Sequence, residues 1–105
     1  MTGMRPTFSL LVVAVVALVA CSGPDESASG EEIYMQLCSR CHGAELGGGI
    51  GPALGPGSNA AEQSDDYLIV TIRDGRGRMP SFRQTLSEAQ IGRVVEYLRQ
   101  EQGSS

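Results

Sequence analysis

Cys38-Ser39-Arg40-Cys41-His42 constrains this chain more than any other stretch, because it spells C-x-x-C-H. That spacing is the general signature of c-type haem attachment. Two thiols at i and i+3 near a helix end can add to the two vinyl groups of one porphyrin, and the adjacent imidazole can reach the iron as its proximal ligand. Three other chemistries use similar residues. A Cys38–Cys41 disulfide is compatible with an exported chain. A thioredoxin-like redox pair wants a βαβ context, and no alternating strand pattern is visible here. A zinc site wants about four ligands. His42 is the only histidine, and the one other cysteine, Cys21, closes an apolar leader.

The rest of the sequence has a gap that only the haem reading fills. The chain has 105 residues, room for one small domain. Without the N-terminal apolar run roughly 85 remain, a size at which a core rarely stabilises a fold by more than about 3–5 kcal/mol unaided. The aromatics beyond that run are Tyr34, Tyr67, Phe82 and Tyr97. Glu31 to Cys38 predicts a helix, with Ile33, Tyr34 and Leu37 on one side and two glutamates at the positive end of the dipole. Glycine and proline make Gly43 to Ser58 a loop. Asp65 to Arg73 predicts a second helix, capped by Asp65 or Asp66, lined by Leu68, Ile69 and Ile72, and stopped by Gly75. Ser87-Glu88-Ala89-Gln90 fits a capping box ahead of a third helix carrying Ile91, Val94, Val95 and Leu98. These helices are short and narrowly striped, and together they enclose no convincing core. The expected fold is therefore all-α, with three to five short helices wrapped around one large apolar group.

The N-terminus reads as an address. Arg5 precedes Leu10 to Ala20, an uninterrupted apolar stretch of 11 residues. A spanning helix needs about 20, so the stretch suits the apolar region of a secretory signal peptide. Leu18-Val19-Ala20-Cys21 resembles the lipobox of bacterial lipoproteins. That resemblance implies that residues 1–20 are removed and that Cys21 becomes a lipidated N-terminus; the plainer reading is an ordinary cleavage site beside a chance cysteine. Two or more acyl chains hold a protein stably on a membrane, where one does not. Ser22 to Gly30 has no apolar period and is rich in Ser, Gly and acid, so residues 21–30 are expected to be a lipidated flexible tether ahead of a domain at 31–103.

A second iron ligand has to come from another residue type, since His42 is alone. Met1 and Met4 leave with the leader. Met35 lies one helical turn before Cys38 and reads as core. Met79, in Gly77-Arg78-Met79-Pro80, remains. A loop methionine followed by a stiffening proline suits axial ligation; its bland alternative is a gap-filling core residue.

Taken together, these segments resemble a class I cytochrome c of the small bacterial monohaem type. Gly30, Tyr34 and the C-x-x-C-H motif stand at that family's spacing, Gly51-Pro52-Ala53-Leu54 resembles its G-P-x-L, and Gly77 to Phe82 resembles its G-x-M-P-x-F. Val94 to Leu98 resembles its C-terminal helix. The resemblance implies one covalent haem c on Cys38 and Cys41, with His42 and Met79 as axial ligands. It also implies a hydrogen bond from His42 to the Pro52 carbonyl, and a crossing of the first and last helices at which Gly30 and Gly92 allow close approach. The family's soluble carriers often use a lysine-rich docking face, and this chain has no lysine.

That ligand set implies an electron carrier and not an enzyme. Methionine favours ferrous iron and raises the reduction potential. A six-coordinate iron leaves no place for oxygen, peroxide or substrate, and no general base or nucleophile is arranged around a pocket. The net charge of −4 argues against nucleic acid as a partner. Redox proteins and, through Cys21, a membrane are the expected partners of a monomeric, exported, lipid-anchored chain. Two functions fit: a lipid-tethered carrier, or a haem subunit of a dehydrogenase or oxidase. A ligand-binding sensor or peroxidase would need Met79 absent or labile. Arg73, Arg76, Arg78 and Arg83 cluster around Met79 with only Asp74 opposing in sequence. They are a partner face, a set of propionate contacts or simply a solvated surface.

Overall fold

The computed structural model describes residues 23–103 together with Gly3. The apolar leader and Cys21 lie outside the described residues. The order is α1 (Gly30–Ile33), a π-helical turn (Tyr34–Cys38), α2 (Ser39–His42), a 3-10 turn (Asn59–Glu62), α3 (Asp65–Asp74) and α4 (Glu88–Gly103). Among the described residues the only β pairing is a single bridge between Arg76 and Met79. No described helix is long and apolar enough to cross a membrane.

The first predicted helix is longer than its sequence pattern and irregular in the middle. Ser29 caps it, its hydroxyl accepting from the Glu32 amide at 3.1 Å. The Ser39 amide then donates to the Tyr34 carbonyl, five residues back, which makes the turn π-helical. Helix resumes through the cysteine motif to His42. The cap of α3 is Ser64, whose hydroxyl accepts from the Tyr67 amide at 3.1 Å, and neither Asp65 nor Asp66. Both acids instead fall inside the first turn, where the dipole favours them. The capping box at α4 forms as its sequence implies: Ser87 Oγ accepts from the Gln90 amide at 3.1 Å, and Gln90 Oε1 accepts from the Ser87 amide at 2.8 Å.

Helix α4 is the axis on which α1 and α3 pack. Twelve buried apolar residues form one cluster, among them Ile33 and Tyr34, Leu68 and Ile72, and Ile91, Val94, Val95, Tyr97 and Leu98. The helices thus share a more continuous core than their narrow stripes suggest. Tyr34 and Tyr97 stack at a tilt of 50° with ring centroids 5.4 Å apart, geometry worth about 0.5–1.5 kcal/mol beyond burial. Around the cluster lies a half-buried rim that includes Leu37, Cys38, Leu54 and Met79. Met35, expected in the core, is 40% exposed.

Of the two glycines assigned to the helix crossing, only Gly30 belongs there. A Cβ on Gly30 would overlap the carbonyl oxygen of Arg93 and press on Tyr97 Cβ at 3.1 Å. Gly92 is exposed, with nothing within 4 Å of its Cβ position. Opposite effects are therefore expected. Gly30→Ala should destabilise the fold by about 1–3 kcal/mol, the usual cost of overpacking. Gly92→Ala should gain up to about 1 kcal/mol of helix propensity. Urea midpoints of the two variants, measured side by side, check both signs.

The stretch expected to be a flexible tether is docked. Residues 24–29 run along the start of α4, with their carbonyls bonded to Gln90 and Arg93 and with Ala28 buried. Its composition is that of a linker, but its backbone finds donors on another element, which composition does not report.

Candidate functional site

Continuous helix through Ser39–His42 puts Cys38 and Cys41 one turn apart, on neighbouring positions of one face. Both are free thiols and half-buried. Burial, and secondarily the neighbouring Cys41, pushes the Cys38 thiol up to about 11 ahead of any attachment. The Tyr34 hydroxyl, itself pushed up to about 12 chiefly by burial, donates to the Gly43 carbonyl at 2.7 Å and closes the end of the motif helix.

His42 is buried and held by the loop that follows it. Its Nδ1 lies 2.8 Å from the Pro52 carbonyl oxygen. A carbonyl only accepts, so Nδ1 carries the proton and Nε2 keeps its lone pair. This is the tautomer that a metal ligand needs, and the carbonyl fixes the ring. The loop returns to the motif through Gly48, which donates to the His42 carbonyl at 2.8 Å, and Gly51, which donates to the Cys41 carbonyl at 2.7 Å. Glycine is required at 51, because a Cβ there would sit 2.8 Å from His42 Cε1. The far end of this loop is held by α4: Gln102 Nε2 donates to the Leu54 carbonyl at 2.9 Å.

Met79 sits in a tight hairpin. Its amide donates to the Arg76 carbonyl at 2.9 Å, and its carbonyl accepts from the Arg76 amide at 3.1 Å. Two further bonds fasten the segment to the open C-terminal carbonyls of α3: Ser81 Oγ to Arg73 at 2.6 Å and the Phe82 amide to Ile72 at 3.1 Å. Ser81 belongs to no motif of its own, and its one mark in the sequence is its place two residues beyond the methionine and close after a helix end. Cys38 and Met79, 41 positions apart in sequence, pack on the rim of the same buried cluster.

These residues suit a covalent haem. Two thiols stand one turn apart, an imidazole nitrogen has its lone pair free, and a half-buried thioether shares their apolar rim. Among the described residues, no group of three or more His, Cys, Asp or Glu could hold a bare metal ion, and the zinc alternative has no further ligands there.

The arginine cluster is more neutralised than its sequence suggests. Arg73 pairs with Glu88 as well as lying near Asp74, its Nε and Nη2 donating at 2.7 and 2.6 Å. Arg83 pairs with Asp74, and Arg76 bonds the Tyr67 hydroxyl and lies over its ring. Arg78 is exposed at the tip of the hairpin.

The family model described as "Cytochrome C oxidase, cbb3-type, subunit III" matches residues 25–98. The chain belongs to the c-type cytochromes. Cytochrome c55X of Stutzerimonas stutzeri is 34% identical over 85 residues, covering 79% of this chain and 74% of that protein. The cytochrome c subunit of the 4-cresol dehydrogenase [hydroxylating] of Pseudomonas putida is 32% identical over 98 residues, covering 92% of this chain and 78% of that subunit. Among solved structures, the c-type cytochrome NirC superposes with a TM-score of 0.59 at 34% identity, over 68% of this chain and 85% of NirC. The cytochrome fold, the covalent haem c and the role of one-electron carrier follow from membership of this family. Its members work outside the cytoplasm.

Proposed function

We propose that this cytochrome carries single electrons between redox proteins at a membrane, with haem bound through Cys38 and Cys41, ligated by His42 and Met79, and the chain anchored by lipid on Cys21. The observation that carries the assignment of His42 is its hydrogen bond to Pro52, which leaves Nε2 as the free ligating atom. Haem supplies a reversible ferric/ferrous couple. The chain's own residues do the rest: Pro52 orients the imidazole, the Arg76–Met79 hairpin presents the thioether, and the apolar rim around Leu37 and Leu54 excludes water. Burial in an apolar setting and a thioether ligand both favour the less charged ferrous state.

A second reading is that the chain is the haem subunit of a dehydrogenase. The 4-cresol dehydrogenase cytochrome subunit, similar over most of this chain, supports it. Purification from detergent-solubilised membranes distinguishes the two. A free carrier elutes as a single polypeptide that takes up one electron per haem reversibly; a subunit elutes with its enzyme. In either case the mature N-terminus should carry lipid mass on Cys21, and Cys21→Ser should move the haem protein to the soluble exported fraction or leave an uncleaved precursor. A wild-type chain found wholly soluble, without lipid mass, would remove the anchor.

A further inference from the structure

We propose that the docked segment 23–29 is a clamp that holds the domain against the lipid surface in one orientation, with its Thr85 side toward the bilayer. The proposal rests on lipidation of Cys21. Composition makes Ser22 to Gly30 look like a free leash, and its nine residues, if free, would reach about 30 Å. The structure uses it differently. Gln90 Nε2 donates to the carbonyls of Pro24 and Asp25 at 3.3 and 3.1 Å. Arg93 donates to the carbonyls of Glu26 and Ala28, the latter at 3.1 Å. Four strap carbonyls therefore accept from two side chains of α4, and the two from Arg93 are charge-assisted.

The clamp is a built feature. Gln90 is 2% exposed, and its oxygen is already committed to the Ser87 amide, so its amide group is wholly used at this junction. Ser87 Oγ donates to Glu26 Oε1 at 2.8 Å. Within the strap, the Ala28 amide donates to the Asp25 carbonyl at 2.9 Å, and the Ser27 amide to the Asp25 carboxylate at 3.1 Å.

The strap ends against Thr85. Gly23 lies so close that a Cβ on it would sit 2.8 Å from Thr85 Cγ2. Only Ser22 separates Gly23 from Cys21. Two residue steps span about 7 Å at most, against a radius of gyration of about 12 Å for a domain of this size. A leash shorter than the radius of the body it holds does not let that body roll. The lipid surface then meets the Thr85 side, and the cytochrome offers partners the faces turned away from it. A carrier held this way exchanges electrons with proteins of the same membrane, within a short lateral encounter, and does not range.

The experiment uses the lipidated holoprotein on a supported bilayer and reads polarised absorption of the haem. A fixed orientation gives linear dichroism, and free rolling averages it out. Two variants are compared with wild type. The first inserts ten Gly/Ser residues between Ser22 and Gly23, which lengthens the leash and leaves the clamp untouched. The second is Gln90→Ala with Arg93→Ala, which releases the clamp. The wild type should be dichroic, and both variants should lose most of that signal. Hydrogen exchange at the Ala28 amide should be at least about tenfold faster in the double variant and unchanged in the insertion variant. If the double variant does not fold, the insertion variant still decides the matter. Lipid mass on Cys21 with no dichroism in wild type, or with equal dichroism in the insertion variant, would overturn the clamp alone. Absence of lipid mass would overturn the anchor and, with it, the oriented-membrane proposal.

Discussion

Met79→Ala is expected to abolish the far-red charge-transfer band of the oxidised protein, lower its reduction potential and open it to carbon monoxide. The thioether is a weak ligand for ferric iron, and its loss removes a preference for ferrous iron. The structure makes this a clean test. The hairpin that presents Met79 is held by backbone bonds between positions 76 and 79, and by Ser81 and Phe82 on the end of α3. None of these needs the methionine side chain, so the loop should keep its shape in the variant. The truncation should cost stability toward the lower end of the roughly 2–5 kcal/mol typical of methionine-to-alanine changes, because the side chain is only half-buried. Met35→Leu is the control. Met35 is 40% exposed, so that variant should keep both the band and most of the stability. If wild type binds carbon monoxide as fast as Met79→Ala, the sixth position is open, and a sensor or peroxidase becomes the better reading.

Replacing both Cys38 and Cys41 by alanine should reduce haem staining on a denaturing gel to background. A thioether survives denaturation, whereas ligation by His42 and Met79 does not. Each single variant should retain part of the stain, because either sulfur alone can hold the porphyrin. Loss of both should also lower holoprotein yield sharply, since a domain this small leans on what fills its rim. Undiminished staining in the double variant would defeat the covalent assignment of these two residues.

The chemistry was legible because it is local. C-x-x-C-H needs only five consecutive residues, and the helix through them puts both thiols on neighbouring positions whatever the rest of the chain does. The same holds for the Ser87–Gln90 box, closed within four residues, and for the Arg76–Met79 hairpin, which closes at Met79 just before Pro80. The contact between His42 and Pro52 is longer in range, and came from a family resemblance; the structure then supplied its geometry.

What the tertiary structure decided depends on partners far away in the chain. Gly30 and Gly92 look alike in sequence, yet one lies under the Arg93 carbonyl and the other faces solvent. Gln102 holds the carbonyl of Leu54 across 48 positions, and Arg93 holds that of Ala28 across 65. Backbone carbonyls are identical at every residue, so no pattern of side chains marks which of them will be taken. A segment reading as a linker therefore became a clamp, because Gln90 and Arg93 on α4 reach it once the helices are packed. Sequence by itself determined the motif, the capping box of α4 and the candidate ligands, and it missed Ser64 as the cap of α3. Packing decided which glycine is crowded, where the N-terminal strap lies and that Cys38 and Met79 meet one apolar rim, since each of these rests on a contact between distant segments.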